Sequence, residues 1–268
     1  MGAEHSISLG PPETEPPSYP AALRALNADG VPYLVGGAIA LGAYAGIRRD
    51  TKDLDLFTLP EDVKRVLDVL ERAGLRTELP FPHWLGKAHC DDEHFVDVIF
   101  NAGNGAAPVD SEWFAHAHPA VVMGVPVAVC PPEETLWSKA FVMERERFDG
   151  ADVAHLLLSC AETLDWMRLL RRFADNWRVL YAHLVLFGFV YPDESRRIPG
   201  WVLRELNERL ENDASRERPR EHVCQGTLLS REQYLPDLER GWGDARLPPT
   251  GSMSRETIAI WTGAISKR

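Results

Sequence analysis

Asp53 and Asp55 flank a single leucine in the run Thr51-Lys52-Asp53-Leu54-Asp55-Leu56-Phe57, and a glycine pair lies upstream in Val35-Gly36-Gly37-Ala38. Strand side chains repeat every second residue, so both acids leave the backbone on one face. Paired carboxylates are the hard oxygen ligands that Mg²⁺ takes. Two such ions, about 3.5–4 Å apart, clamp the attacking and leaving oxygens of a phosphoryl transfer. Glycine lets a backbone approach a phosphate closely, and a helix that starts there favours the anion. Arg48, Arg49 and Lys52 place cations beside the acids, suited to phosphate oxygens. Asp97 is a third acid, set among Val96, Val98 and Ile99. Burying it there is costly unless a partner or a metal compensates it.

An acid-apolar-acid strand taken alone equally describes a strand end with solvated carboxylates. The chemistry needs elements that bring the glycines and all three acids together. Residues 20–28 have helical spacing and stop at Asp29-Gly30. Val31–Val35 reads as a short buried strand and Ala38–Ala45 as a helix that starts directly after the glycines. Asp53–Leu59 alternates as a strand. Pro60 then opens a helix that Gly74 closes, with Val63, Val66, Leu67 and Leu70 on one face. Leu75–Leu79, Trp84–Cys90 and His94–Asn101 read as strands. Met123-Gly124 reads as the turn of a hairpin.

From Pro131 the texture changes. Residues 131–148, 151–163, 165–188 and 201–212 read as helices, the first opened by proline and acids that suit its dipole. The expected organisation is a flexible tail over 1–18, an α/β domain over 19–130, a helical domain over 131–212 and an irregular extension over 213–268. In that extension, NDASRERPRE reads as a solvated linker.

A chain of 268 residues can bury a core of one large domain or two small ones. The net charge of −11 argues against long duplex nucleic acid as a partner, because diffuse backbone binding needs positive surface. A small molecule or a protein is the better acceptor. Cys90, Cys130, Cys160 and Cys224 form no close pair, which excludes a zinc knuckle and a CxxC redox motif and suits a reducing cytoplasm. The first residues carry no apolar signal core, and no apolar run is long enough for a membrane span. A cytoplasmic location without membrane contact is the expectation.

Gly36-Gly37, Asp53-Leu54-Asp55-Leu56 and Asp97 together resemble the signature of the nucleotidyltransferase superfamily that includes polymerase β. Arg49, Thr51, Asp53, Asp55 and Phe57 fit the stretch typical of its bacterial abortive-infection and toxin-type branch. The resemblance covers residues 31–101. It implies an α+β fold, with a mixed sheet and flanking helices followed by a helical C-terminal unit. It also implies transfer of NMP from an NTP to a hydroxyl of a small molecule, an RNA end or a protein. Asp53, Asp55 and Asp97 would be catalytic and hold two Mg²⁺ ions, with Mn²⁺ as a substitute. Gly36, Gly37, Arg49, Thr51 and Lys52 would bind the nucleotide.

Lys139 stands equally as an exposed helix lysine and as a lysine turned toward the triphosphate. Arg145, Asp149 and Asp152 read as a structural charge cluster, His155 as a packed helix histidine, and Trp137, Trp166 and Trp177 as core. His83, His89 and His94 lack a metal-ligand spacing. A haloacid-dehalogenase-like phosphatase needs an apolar strand before its acid, and Asp53 instead follows Arg-Arg-Asp-Thr-Lys. A glycosyltransferase acid pair leaves the glycines unexplained. The non-enzyme alternative is a binding protein of the same fold, such as a toxin–antitoxin partner.

Overall fold

The structure, a computed structural model, describes residues 7–9, 18–47, 49, 51–215 and 222–265. Arg48 and most of the expected tail and linker lie outside the described residues. The chain forms two compact units. One gathers Met1–Gly103 with Ala107–Pro131, the other Asn104–Ala106 with Pro132–Arg268.

The first unit is an α+β layer structure. It contains β1 (Ile7–Leu9), α1 (Ser18–Asp29), β2 (Leu34–Val35), α2 (Gly37–Ala45), β3 (Asp53–Phe57) and α3 (Val63–Arg72). It continues through β4 (Arg76–Phe81), β5 (Leu85–His89), β6 (Phe95–Ile99), α4 (Ser111–Ala115), β7 (His118–Val122) and β8 (Val125–Val129). The strands form one mixed sheet in the order β1-β7-β8-β2-β3-β6-β5-β4. β3 and β6 run parallel at its centre, with β5 antiparallel to β6. Met123 and Gly124 both have positive φ (51° and 72°), the conformation a two-residue hairpin between right-twisted strands needs.

Alternation along the central strands sorts the two faces. Leu54 and Leu56 of β3 and Val96 and Val98 of β6 are fully enclosed, in one core with Tyr19, Leu23 and Leu26 of α1 and Val66 and Leu70 of α3. Each such side chain contributes roughly 1.5–3 kcal/mol. A one-residue slip of β3 would put the acids into that core, so the apolar pattern fixes which face carries them.

β1 lies within the span expected to be a tail, and it pairs parallel with Ala120–Val122. The main chain of β7 is the outer partner of the β7–β8 hairpin, and an added strand satisfies its exposed groups.

The second unit contains α5 (Pro132–Ala140), α6 (Gly150–Cys160), α7 (Trp166–Phe173), α8 (Trp177–Val190), α9 (Gly200–Ser215), β9 (Val223–Cys224), α10 (Leu235–Glu239), β10 (Gly243–Asp244) and α11 (Arg255–Gly263). Phe141, Phe173, Leu180, Phe187 and Leu206 lie in its interior, as do Trp137, Trp166 and Trp177. The helix expected over 131–148 stops at Ala140. Beyond it, the Glu144 carboxylate accepts from Ser230 Oγ at 2.9 Å and Arg231 Nε at 2.9 Å, contacts that a continuing helix would not make. The helix expected over 165–188 is broken at Ala174, whose φ is +39°. The helix expected to end at Asn212 continues to Ser215, past the start of the expected linker.

The C-terminal stretch is tied to the rest of the second unit where the Met143 N–H donates to the Leu229 carbonyl at 3.1 Å, and it holds a local ion pair of its own. Arg246 is 1% exposed and donates from Nη2 to Asp244 Oδ2 at 2.7 Å and from Nε to Asp244 Oδ1 at 3.0 Å. No helix among the described residues is long and apolar enough to cross a membrane.

Candidate active site

The registers of β3, β5 and β6 build the site. Asp55 lies opposite Asp97 across the parallel pair β3–β6. Asp53 sits two residues before Asp55, on the same face. Asp53, Asp55 and Asp97 each offer one carboxylate oxygen, and these oxygens lie within 4.8 Å of one another. All three residues are half-buried. The donors are hard oxygens, close enough to share cations, and so fit Mg²⁺ or Mn²⁺ and not a soft thiophilic metal.

Each glycine of the pair has its own steric reason. Gly37 opens α2 with φ +54°, and a Cβ there would meet Asp55 Oδ2 at 1.7 Å. A Cβ on Gly36 would instead meet Phe57 Cε2 at 2.2 Å. The Phe57 ring lies against Gly36 and stacks on Trp113, with centroids 5.1 Å apart. The Gly36 N–H donates to the Asp55 carbonyl at 2.9 Å. That amide is therefore spent on holding the glycine turn to β3, and the opening of α2 at Gly37 is what presents donors beside the acids.

Thr51 acts on Asp53. Its hydroxyl bonds the Asp53 carboxylate, and the Asp53 N–H donates back to Thr51 Oγ1 at 3.2 Å. The Lys52 ammonium stands 3.8 Å from Glu93 Oε2, with both side chains 70% exposed. Its carbonyl accepts from Tyr19 Oη at 2.8 Å and from the Phe95 N–H at 3.1 Å, tying α1 and β6 to the start of β3. Arg49 is exposed.

Lys87 is the residue that motif reading does not reveal. It lies opposite Asp97 on β5, and its ammonium donates to Asp97 Oδ1 at 2.6 Å. Burial pushes the Asp97 carboxyl above its ordinary range, and the charge of Asp53 adds to that. Lys87 and His89 act in the opposite sense. The available signal was the alternation Leu85-Gly86-Lys87-Ala88-His89, which places a lysine on the polar face of a strand beside an acid-bearing one.

In the second unit, Lys139 Nζ donates to Asp152 Oδ2 at 2.7 Å and to Asp149 Oδ2 at 3.2 Å. Arg147, rather than Arg145, completes the expected charge cluster, with Nε 2.9 Å from Asp149 Oδ1. The three histidines bond separate partners: His83 the Gly103 carbonyl, His89 Glu78 and His94 Asp91.

A mixed sheet that carries three acids on adjacent parallel strands, beside a glycine-opened helix, defines a nucleotidyltransferase-type protein. Residues 20–186 match the family described as an uncharacterised nucleotidyltransferase, more than half of the chain, and the chain belongs to that family. Among solved structures it is similar to the antibiotic-resistance factor ANT(2'')-Ia, at 20% identity and a TM-score of 0.41, over 65% of this chain and 96% of that one. It is also similar to the lincosamide antibiotic adenylyltransferase LnuA, at 14% identity and a TM-score of 0.40, over 53% and 96% of the two chains. JHP933 from Helicobacter pylori is similar at 15% identity and a TM-score of 0.37, over 74% and 92%. Among curated proteins none matches.

Proposed function

We propose that the protein moves a nucleoside monophosphate from an NTP to a hydroxyl acceptor and releases pyrophosphate. The observation that carries the reading is the β3–β6 register, which sets Asp55 against Asp97 with Asp53 on the same face. Asp53, Asp55 and Asp97 would hold two Mg²⁺ ions, or Mn²⁺ in their place, which polarise the phosphoryl group and lower the pKa of the acceptor hydroxyl. The bond from acceptor oxygen to α-phosphorus forms and the bond from α-phosphorus to the pyrophosphate oxygen breaks; Asp97 either completes the ion that acidifies the acceptor hydroxyl, the proton leaving to solvent, or takes that proton itself.

Gly37 and the start of α2 receive the β- and γ-phosphates, with Gly36 shaping the turn. Arg49 and Lys52 supply charge to the phosphates, and Thr51 orients Asp53. The resemblance of the stretch from Arg49 to Phe57 supports membership of the abortive-infection and toxin-type branch. The acceptor is a small molecule, an RNA end or a protein side chain.

The exposed apolar residues Val185 and Phe189 of α8, 59% and 81% accessible, favour a second reading, a protein partner in place of catalysis. Thermal unfolding with each NTP, with and without Mg²⁺, separates the two. A ligand bound only to the folded state at a hundred times its Kd adds about 2.7 kcal/mol. A Mg²⁺-dependent rise in Tm with at least one NTP is expected. No rise with any of them would leave the partner reading.

A further inference from the structure

Lys87 is held from two sides. Its ammonium donates to Asp97 Oδ1 at 2.6 Å and sits 3.7 Å above the centre of the Phe95 ring. Both members of the ion pair are largely enclosed, at 21% and 13% exposure. Phe95 is itself the residue opposite Asp53 across β3–β6. The lysine therefore belongs to the carboxylate site by strand register and by its two anchors. The other basic group on that strand, His89, turns its Nε2 to Glu78 at 2.9 Å. Three carboxylates within 4.8 Å repel one another strongly in a half-buried setting. One ammonium offsets one of those three charges.

We infer that Lys87 is a built-in counter-ion of the three-carboxylate cluster, a positioning residue that fixes the Asp97 carboxylate and lowers the affinity of the cluster for a free divalent cation. The inference rests on the nucleotidyltransferase reading of the same acids. With Oδ1 engaged by the ammonium, Oδ2 of Asp97 is the oxygen left for a metal or for the acceptor proton. A resident cation disfavours a divalent ion arriving alone. An NTP brings its own negative charge, so metal and triphosphate enter together. Lys87 thereby couples metal loading to substrate.

The test is titration of Mn²⁺ into nucleotide-free protein, followed by the electron paramagnetic resonance of the free ion. Wild type, Lys87→Met, Lys87→Gln, Lys87→Arg and Asp53→Asn are compared, with circular dichroism to check folding. Binding by wild type that weakens in Asp53→Asn establishes the site. Lys87→Met or Lys87→Gln should then bind Mn²⁺ at least about threefold more tightly, since a nearby positive charge is gone. Lys87→Arg should stay near wild type. In turnover, the neutral variants should lose kcat by roughly tenfold, with a smaller change in KM for NTP, and Lys87→Arg should recover most of it. Equal or weaker Mn²⁺ binding in a folded neutral variant overturns the inference and leaves the parent reading standing. Failure of both neutral variants to fold makes Lys87 structural and also overturns it. Mn²⁺ binding by a neutral variant but not by nucleotide-free wild type supports the inference, and absence of Mn²⁺ binding to wild type and both neutral variants, with NTP as well as without it, overturns both readings.

Discussion

A methyl group on Gly37 would lie 1.7 Å from Oδ2 of Asp55. The glycine turn and the acid pair, sixteen residues apart at their nearest members, are thus one steric unit. Gly37→Ala should displace the Asp55 carboxylate and force a side chain into the left-handed region, at about 1–2 kcal/mol. We expect transfer to fall on the order of 100-fold, as displaced catalytic groups do, with Tm only modestly lower. Parallel melts and label-transfer rates check this, and near-normal activity would count against the close approach.

Thr51 is expected to act through Asp53. Thr51→Val removes the hydroxyl that bonds the Asp53 carboxylate and should lower kcat by roughly tenfold, equivalent to about 1.4 kcal/mol. Thr51→Ser should restore it. Steady-state kinetics of the pair decide whether the hydroxyl, and not the methyl, matters.

The acids should be tolerated at a cost to stability. Asp53→Asn removes one of three mutually repelling charges and is expected to raise stability by about 1 kcal/mol in chelator-containing buffer. Urea unfolding with and without Mg²⁺ measures it. Wild type should gain more than the variant from Mg²⁺. Equal stability in both buffers would mean the trio is too solvated to interact.

Asp149 predicts an acid-sensitive second unit. Burial raises its carboxyl pKa, but Arg147 and Lys139 outweigh burial and hold it below the ordinary value. Its contribution to stability is then complete above the unfolded value near pH 4 and is lost as pH falls through the lower folded value. Asp149→Asn leaves Lys139 with one fewer partner and should destabilise by about 3 kcal/mol at pH 7. Its stability should also decline less steeply below about pH 4 than that of wild type. Unfolding free energies between pH 2 and pH 7 test both statements, and parallel curves would contradict the ion-pair account.

Local pattern carried much of this. Strand alternation put Asp53 and Asp55 on one face, an acid in an apolar run marked Asp97, and glycine punctuation located the start of α2. Contacts set by distant pairing were not visible. Lys87 becomes part of the site only once β5 is known to pair with β6. The early end of α5 goes with Glu144 meeting Ser230 and Arg231, far along the chain. The C-terminal stretch meets the helical part of its unit where the Met143 N–H donates to the Leu229 carbonyl at 3.1 Å, a pairing far apart in the chain. Phe57 stands in the sequence as part of the family-like stretch with no steric role to read, and the structure shows that it fills the space that Gly36 leaves open.

The most direct test is transfer of label from an α-phosphate-labelled NTP, in Mg²⁺ buffer with a whole-cell extract as the source of acceptors, by wild type, Asp53→Ala and Asp97→Ala. Separation into small molecules, RNA and protein identifies the acceptor class. The account predicts label in one fraction with wild type and none above background with either variant, each variant remaining folded by circular dichroism. Undiminished transfer by Asp53→Ala, or no transfer by wild type with any NTP, would contradict it.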